Sequence, residues 1–120
     1  MKTIGIVGTR QRFFKGDFFK VREAFQNVYE EGDRICSGGC PRGADNFAEL
    51  IAKENGTSIL IHYPNWYKHG RAAGFVRNTL IAQDSDILIA CVSANRKGGT
   101  EDTIKKFIKD KGSDENVILV

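Results

Sequence analysis

The sequence predicts a three-layer α/β fold, a five-stranded parallel sheet with helices on both faces. Three observations point to it. Short apolar runs alternate with stretches of helical periodicity, strand then helix, from end to end of the chain. The first, second and fourth runs each lead into a glycine-containing turn: Gly8-Thr9-Arg10, Ser37-Gly38-Gly39 and, after a polar loop, Gly98-Gly99-Thr100. The chain has 120 residues, enough for one domain, spanning 1–120, with a hydrophobic core that needs no disulfide.

Residues 3–7 form the first apolar run and end at Gly8-Thr9-Arg10. A strand closed by a glycine turn is the usual opening of a nucleotide-binding α/β domain. Residues 11–16 read as irregular. Asp17 is then placed as the N-cap of a helix carrying Phe18, Val21, Phe25 and Val28 inward, with Gly32 ending it. Residues 34–37 are the second strand. The next helix sets Ala44, Phe47, Ala48, Ile51 and Ala52 on one face, its small residues allowing close approach to the sheet, and Asn55-Gly56 closes it. Residues 58–62 are a third strand, apolar enough for burial on both faces.

Residues 63–70, with Pro64, Trp66 and Tyr67, read as a loop, and 71–84 as a third helix. A strongly apolar fourth strand covers 86–92. After the polar loop 93–99, Thr100-Glu101-Asp102 opens a helix with Ile104, Phe107 and Ile108 inward, and 117–120 supply the last strand. Parallel strands joined by right-handed crossovers give the expected order 3-2-1-4-5. The chain then reverses direction between strands one and four, and ligands bind beyond the carboxyl ends of the strands at such a point. All three glycine turns open there.

Composition bounds the function. The chain is 41% hydrophobic and 28% charged, with a net charge of +3, which suits a small anionic ligand and is too weak to indicate duplex DNA. No apolar run approaches the roughly 20 residues of a membrane span, and the first residues read as a strand rather than a signal peptide, so a cytoplasmic, non-membrane protein is expected. Cys36, Cys40 and Cys91 are an odd number with no disulfide framework, and no second ligand pair accompanies Cys36 and Cys40, so neither a metal nor a cofactor is expected. His62 and His69 have no partners nearby in sequence. Lys105, Lys106, Lys109 and Lys111 suit a solvated helix face.

The run Cys36–Asp45 carries the strongest sequence signal for a site. Gly38, Gly39 and Gly43 permit close approach of a ligand, the following helix offers unpaired amides, and Arg42 adds a positive charge, together an expected phosphate seat. The competing reading is a plain tight turn. Asp45, in the first helical turn, suits the helix dipole yet repels a phosphate. It is expected to pair with Arg42 or Arg10, to bond a ribose hydroxyl, or simply to favour the helix start. Trp66 and Tyr67 are candidates for stacking on a base, or for covering the sheet edge.

Four motifs, in order and spacing, resemble the SLOG superfamily: Ser37-Gly38-Gly39-Cys40-Pro41-Arg42-Gly43-Ala44-Asp45, Pro64-Asn65-Trp66, Ala73-Gly74-Phe75-Val76-Arg77-Asn78 and Gly98-Gly99-Thr100-Glu101-Asp102. That group includes the DNA-processing protein A fold and the LONELY GUY phosphoribohydrolases, and the chain is most similar to its small stand-alone members. The resemblance implies a Rossmann-like domain that binds nucleotides or ADP-ribose-like signals, and a homo-oligomer. In the phosphoribohydrolases an arginine followed by lysine contacts substrate. Arg77 matches the arginine, and Asn78 stands in the lysine's place. Their Pro-Gly-Gly-x-Gly-Thr-x-x-Glu motif holds phosphate and supplies a catalytic glutamate. Here the residue three beyond Thr100 is Thr103, and Glu101 and Asp102 fall one and two after it, turned by about 100° per residue on a helix.

Three functions follow as expectations: a nucleotide sensor or binding module; a nucleoside-monophosphate phosphoribohydrolase using Arg77 with Glu101 or Asp102; and a single-strand nucleic-acid binder. The binding residues common to the first two are Gly8, Thr9, Arg10, Ser37, Gly38, Gly39, Arg42, Gly43, Asp45, Trp66, Arg77, Asn78, Gly98, Gly99 and Thr100.

Overall fold

A computed structural model describes residues 1–120. Five strands, β1 (Thr3–Gly8), β2 (Arg34–Ser37), β3 (Ile59–Ile61), β4 (Ile87–Cys91) and β5 (Val117–Leu119), form one all-parallel sheet in the order β3-β2-β1-β4-β5. The helices are α1 (Lys15–Val28), α2 (Ala44–Asn55), the single turn α3 (Trp66–His69), α4 (Ala73–Asp84) and α5 (Gly99–Lys111), with a 3-10 turn over Gly70–Ala72. The order and the parallel sense are those expected from the sequence.

Period-two alternation along the strands divides the interior into two cores. Ile4, Ile6, Ile35 and Ile89 face α1 and α2, meeting Val21, Phe25, Phe47, Ala48 and Ile51. Val7, Cys36, Leu88 and Ala90 face the opposite way, toward Ile81 and Ala82 of α4 and Ile104 and Phe107 of α5. A sheet sandwiched between two helical layers is the result. No helix is long and apolar enough to cross a membrane.

Local chemistry shifts several boundaries. Asp17 is not the N-cap of α1. It sits three residues inside, where its carboxylate accepts the Phe14 amide at 3.2 Å and pairs with Arg12 at 3.0 Å, so Lys15 and Gly16 join the helix. Nor does Gly32 end that helix. The helix stops at Val28, and Gly32 (φ +93) serves the turn into β2. Gly56 does close α2, in the left-handed region, with the Thr57 amide returning to the Ala52 carbonyl at 2.9 Å. β3 is partly exposed along its length rather than buried on both faces, because it is an edge strand. The expected loop 63–70 contains α3, whose start is capped by the Asn65 carboxamide accepting the Lys68 amide at 3.0 Å.

The start of β1 is clamped to the α1–β2 turn. Asp33 accepts the Lys2 amide at 2.9 Å, the Glu30 amide at 2.9 Å and the Lys2 ammonium. Burial pushes the Asp33 carboxyl up, but the bonds from Lys2 and Glu30 outweigh it and hold the group at about 2, against an ordinary 3.8. A depressed carboxyl contributes stability that is fully present above pH 3.8 and is lost as pH falls toward 2. Asp33→Asn is therefore expected to cost about 1–2 kcal/mol at pH 7 and to flatten the loss of stability on acidification, as read by urea unfolding at both ends of that range.

Candidate functional site

Beyond the carboxyl ends of β1 and β4, where the chain changes direction, lies a cleft of about 360 Å³. Gly8, Thr9, Arg10 and Gln11 supply one wall, and Lys97, Gly98, Gly99, Thr100 and Thr103 the facing one. Arg77, Asn78 and Ile81 come from α4, Cys40 and Asp45 from the loop after β2 and the start of α2, and Val7 from β1. The glycine turns after strands one and four thus line the cleft directly, while the loop after strand two reaches it only through Cys40 and Asp45.

They do not contribute alike. A Cβ at Gly38 would fall 2.6 Å from an Arg77 guanidinium nitrogen and 2.9 Å from the Asp45 carboxylate. At Gly39 it would collide with the Tyr63 ring, and at Gly43 (φ +84) it would meet the Thr9 carbonyl oxygen at 2.6 Å. A Cβ at Gly8 would meet Ala44 and Cys91, each at 2.7 Å. Each of these glycines is accounted for by protein packed against it. Gly98 (φ +107) has nothing near it, and a Cβ at Gly99 would meet only the Asn78 amide nitrogen, at 3.8 Å. Open space lies over the Gly98-Gly99 turn.

That turn starts α5, and its amides are free. No side chain caps the helix, and its first internal bond runs from the Asp102 amide to the Gly98 carbonyl at 3.3 Å, leaving the amides of Gly99, Thr100 and Glu101 without helical partners. The Gly99 carbonyl accepts from Asn78 Nδ2 and from Thr103 Oγ1, both at 3.2 Å. These bonds hold the turn open toward the cleft. Asn78, only 6% exposed, is the strut between α4 and α5: Nδ2 also reaches Asp102 at 3.2 Å, and Oδ1 accepts from Arg77 Nε at 2.9 Å.

Arg77 donates a second bond, to the Gly38 carbonyl at 2.6 Å. A guanidinium has five N–H groups, so three remain for a ligand. Asp45, 8% exposed, accepts from Ser37 Oγ and from the Cys40 amide, both at 3.1 Å. Burial is the largest influence on its carboxyl and raises it; the Cys40 amide, the Arg77 charge, the Ser37 hydroxyl and the Gly38 amide pull it back only in part. Cys36 is pushed up to about 12 by burial, and burial raises Cys91 as well, so neither is held as a thiolate.

Several expected participants stand elsewhere. Arg42 lays its guanidinium on the Phe13 ring, 3.7 Å from the centroid, and does not line the cleft; neither it nor Arg10 pairs with Asp45. Ser37, Gly38, Gly39 and Gly43 lie behind the wall as packing residues. Trp66 is outside the cleft and more than half exposed. Glu101 is held by Arg96 through two bonds at 2.8 and 2.9 Å, and Asp102 by Lys106 at 2.8 Å; neither lines the cleft. Lys97 and Gln11 are not marked by the sequence reading, and Cys40 is marked only as part of the run 36–45; a lysine directly preceding Gly-Gly at a helix start is the available signal for the first. His62, given no partner by sequence, bonds Asp84 at 2.6 Å, and neither residue lines the cleft.

Comparison with protein-family models, with curated proteins and with solved structures returned no match.

Proposed function

We propose that the cleft binds the phosphate and ribose of a nucleotide or ADP-ribose-like molecule, and that the protein is a binding module or sensor for it. One observation carries the reading. The uncapped N-terminus of α5 presents its free amides beside the unobstructed Gly98-Gly99 turn, with Arg77, Lys97 and Arg10 around the same cleft. Free amides and the positive end of a helix favour an anion, and the guanidinium adds directed donors. The phosphate seat is therefore assigned to residues 98–100, across the cleft from the run 36–45 that the sequence favoured. Asp45 comes from the start of α2 rather than from that turn, close enough to Arg77 to feel its charge, and its carboxyl, with lone pairs to spare, suits a ribose hydroxyl. A mixed site of this kind favours a ribose phosphate over bare phosphate.

Binding without turnover is favoured by the acids. Cleavage of an N-glycosidic bond passes through an oxocarbenium-like state that needs a carboxylate aimed at the sugar. Glu101 and Asp102, the acids a hydrolase would use here, are held by Arg96 and Lys106 outside the cleft. Asp45, the one carboxyl that lines it, is already bonded by Ser37 and the Cys40 amide and suits a hydroxyl contact. The test is a thermal-shift titration with AMP, ADP-ribose, adenosine and inorganic phosphate, with chromatography for released base. AMP and ADP-ribose are expected to stabilise the fold, by about 2.7 kcal/mol at a hundredfold excess over Kd, adenosine and phosphate much less, and no base should appear. No response to any phosphorylated compound would overturn the proposal; base release lost in Glu101→Ala would replace it with the hydrolase reading.

A further inference from the structure

We propose that a ledge built from Arg42, Phe13 and Phe14 seats a second nucleobase, so that the ligand is an anionic dinucleotide whose first nucleotide occupies the cleft. The inference rests on the nucleotide reading of that cleft. Phe13 and Phe14 are neighbours in sequence, yet their rings stack, centroids 4.4 Å apart and planes 23° apart. Arg42 covers Phe13 from its other side at 3.7 Å, leaving Phe14 as the outermost layer. Phe14 is 64% exposed and Phe13 38%, so core burial does not explain either ring. Phe18, further along, does serve the core, packing edge-on to Phe47 at 5.4 Å.

Position and charge both fit a second nucleotide. Gln11 lines the cleft and Phe13 follows two residues later, within a reach of about 7 Å. Gly43 is pressed against the Thr9 carbonyl, which brings Arg42 to the same flank. Arg10, Lys15 and Arg42 have no ion-pair partner, and Arg10, on the cleft wall next to Gln11, offers a free cation to a phosphate leaving the cleft toward the ledge. An exposed flat ring beside unpaired cations is the arrangement on which bases stack without sequence preference.

Calorimetry with AMP and with the linear diadenylate carrying a 5′-phosphate, at one salt concentration, reads the ledge directly. The diadenylate should bind wild type about tenfold tighter than AMP, an increment of about 1.4 kcal/mol. Phe14→Ala should erase that gain and leave AMP affinity unchanged, while Phe14→Trp should preserve or enlarge it. Melting curves establish that both variants fold. Equal affinities for the two ligands in wild type, or an undiminished gain in Phe14→Ala, would overturn the ledge and leave the cleft assignment standing. Binding of neither ligand would overturn both. Affinity that keeps rising through oligo(dA) of four and eight nucleotides would replace the dinucleotide with a single strand.

Discussion

Gly43→Ala is expected to cost about 3 kcal/mol or more of stability, whereas Gly99→Ala, across the same cleft, should cost almost none. At position 43 the backbone holds φ +84, which an L-residue adopts only under strain, and the new Cβ would lie 2.6 Å from the Thr9 carbonyl oxygen and 3.2 Å from Arg10 Cα. Both obstacles are backbone, so neither can swing aside. The two loops would have to separate, and with them the contact of α2 with β1. Position 99 has no positive φ and starts α5, where alanine is the better helix former. Its Cβ would project toward Asn78 in the cleft, and nucleotide affinity should fall at least fivefold, about 1 kcal/mol. Urea unfolding paired with calorimetry separates the two effects. A stable Gly43→Ala protein with weakened nucleotide binding would return the phosphate seat to the loop after β2.

That contrast explains why the fold was more legible than the site. Strand order follows from features a sequence carries openly: apolar runs of strand length, helical periodicity between them, and turns after strands one, two and four. The purpose of a glycine is not carried openly. Gly38, Gly39 and Gly43 look like a phosphate loop, yet Arg77, Tyr63 and Thr9 occupy the space a side chain there would need, so packing alone accounts for the glycines, and those residues are distant in sequence. Arg42 carries its charge in the glycine turn, but the turn does not aim it into the cleft: the guanidinium lies on the Phe13 ring, a contact no local pattern marks. Asp favours the N-cap position, but an Asp three residues inside the helix can instead accept the N-cap residue's own amide, as Asp17 does from Phe14. The bond between His62 and Asp84 joins residues 22 apart, and no local pattern marks it.

Arg77→Ala should weaken nucleotide binding at least thirtyfold, about 2 kcal/mol, the worth of a charge-assisted hydrogen bond to phosphate. The guanidinium is fixed from two sides, by the Gly38 carbonyl and by Asn78 Oδ1, so its remaining donors are held in place before a ligand arrives. Arg77→Lys keeps the charge but loses the planar fork, and should fall between wild type and alanine. The structural cost, about 1 kcal/mol for the orphaned Gly38 carbonyl, is separable by melting. A pH series supplies a further readout. The Arg77 charge is one of the influences restraining the upward shift of Asp45, so its removal moves that carboxyl higher still. A neutral Asp45 repels phosphate less than an ionised one. Affinity of the alanine variant should therefore recover in part as pH falls, more steeply than in wild type. The same raised carboxyl makes the fold bind its proton more tightly than the unfolded chain does. Its contribution to stability is thus fully present below pH 3.8 and lost as pH rises through the folded value, opposite in sign to that of Asp33. Unchanged affinity in Arg77→Ala would remove Arg77 from ligand contact and leave it only the task of tying α4 to the loop after β2.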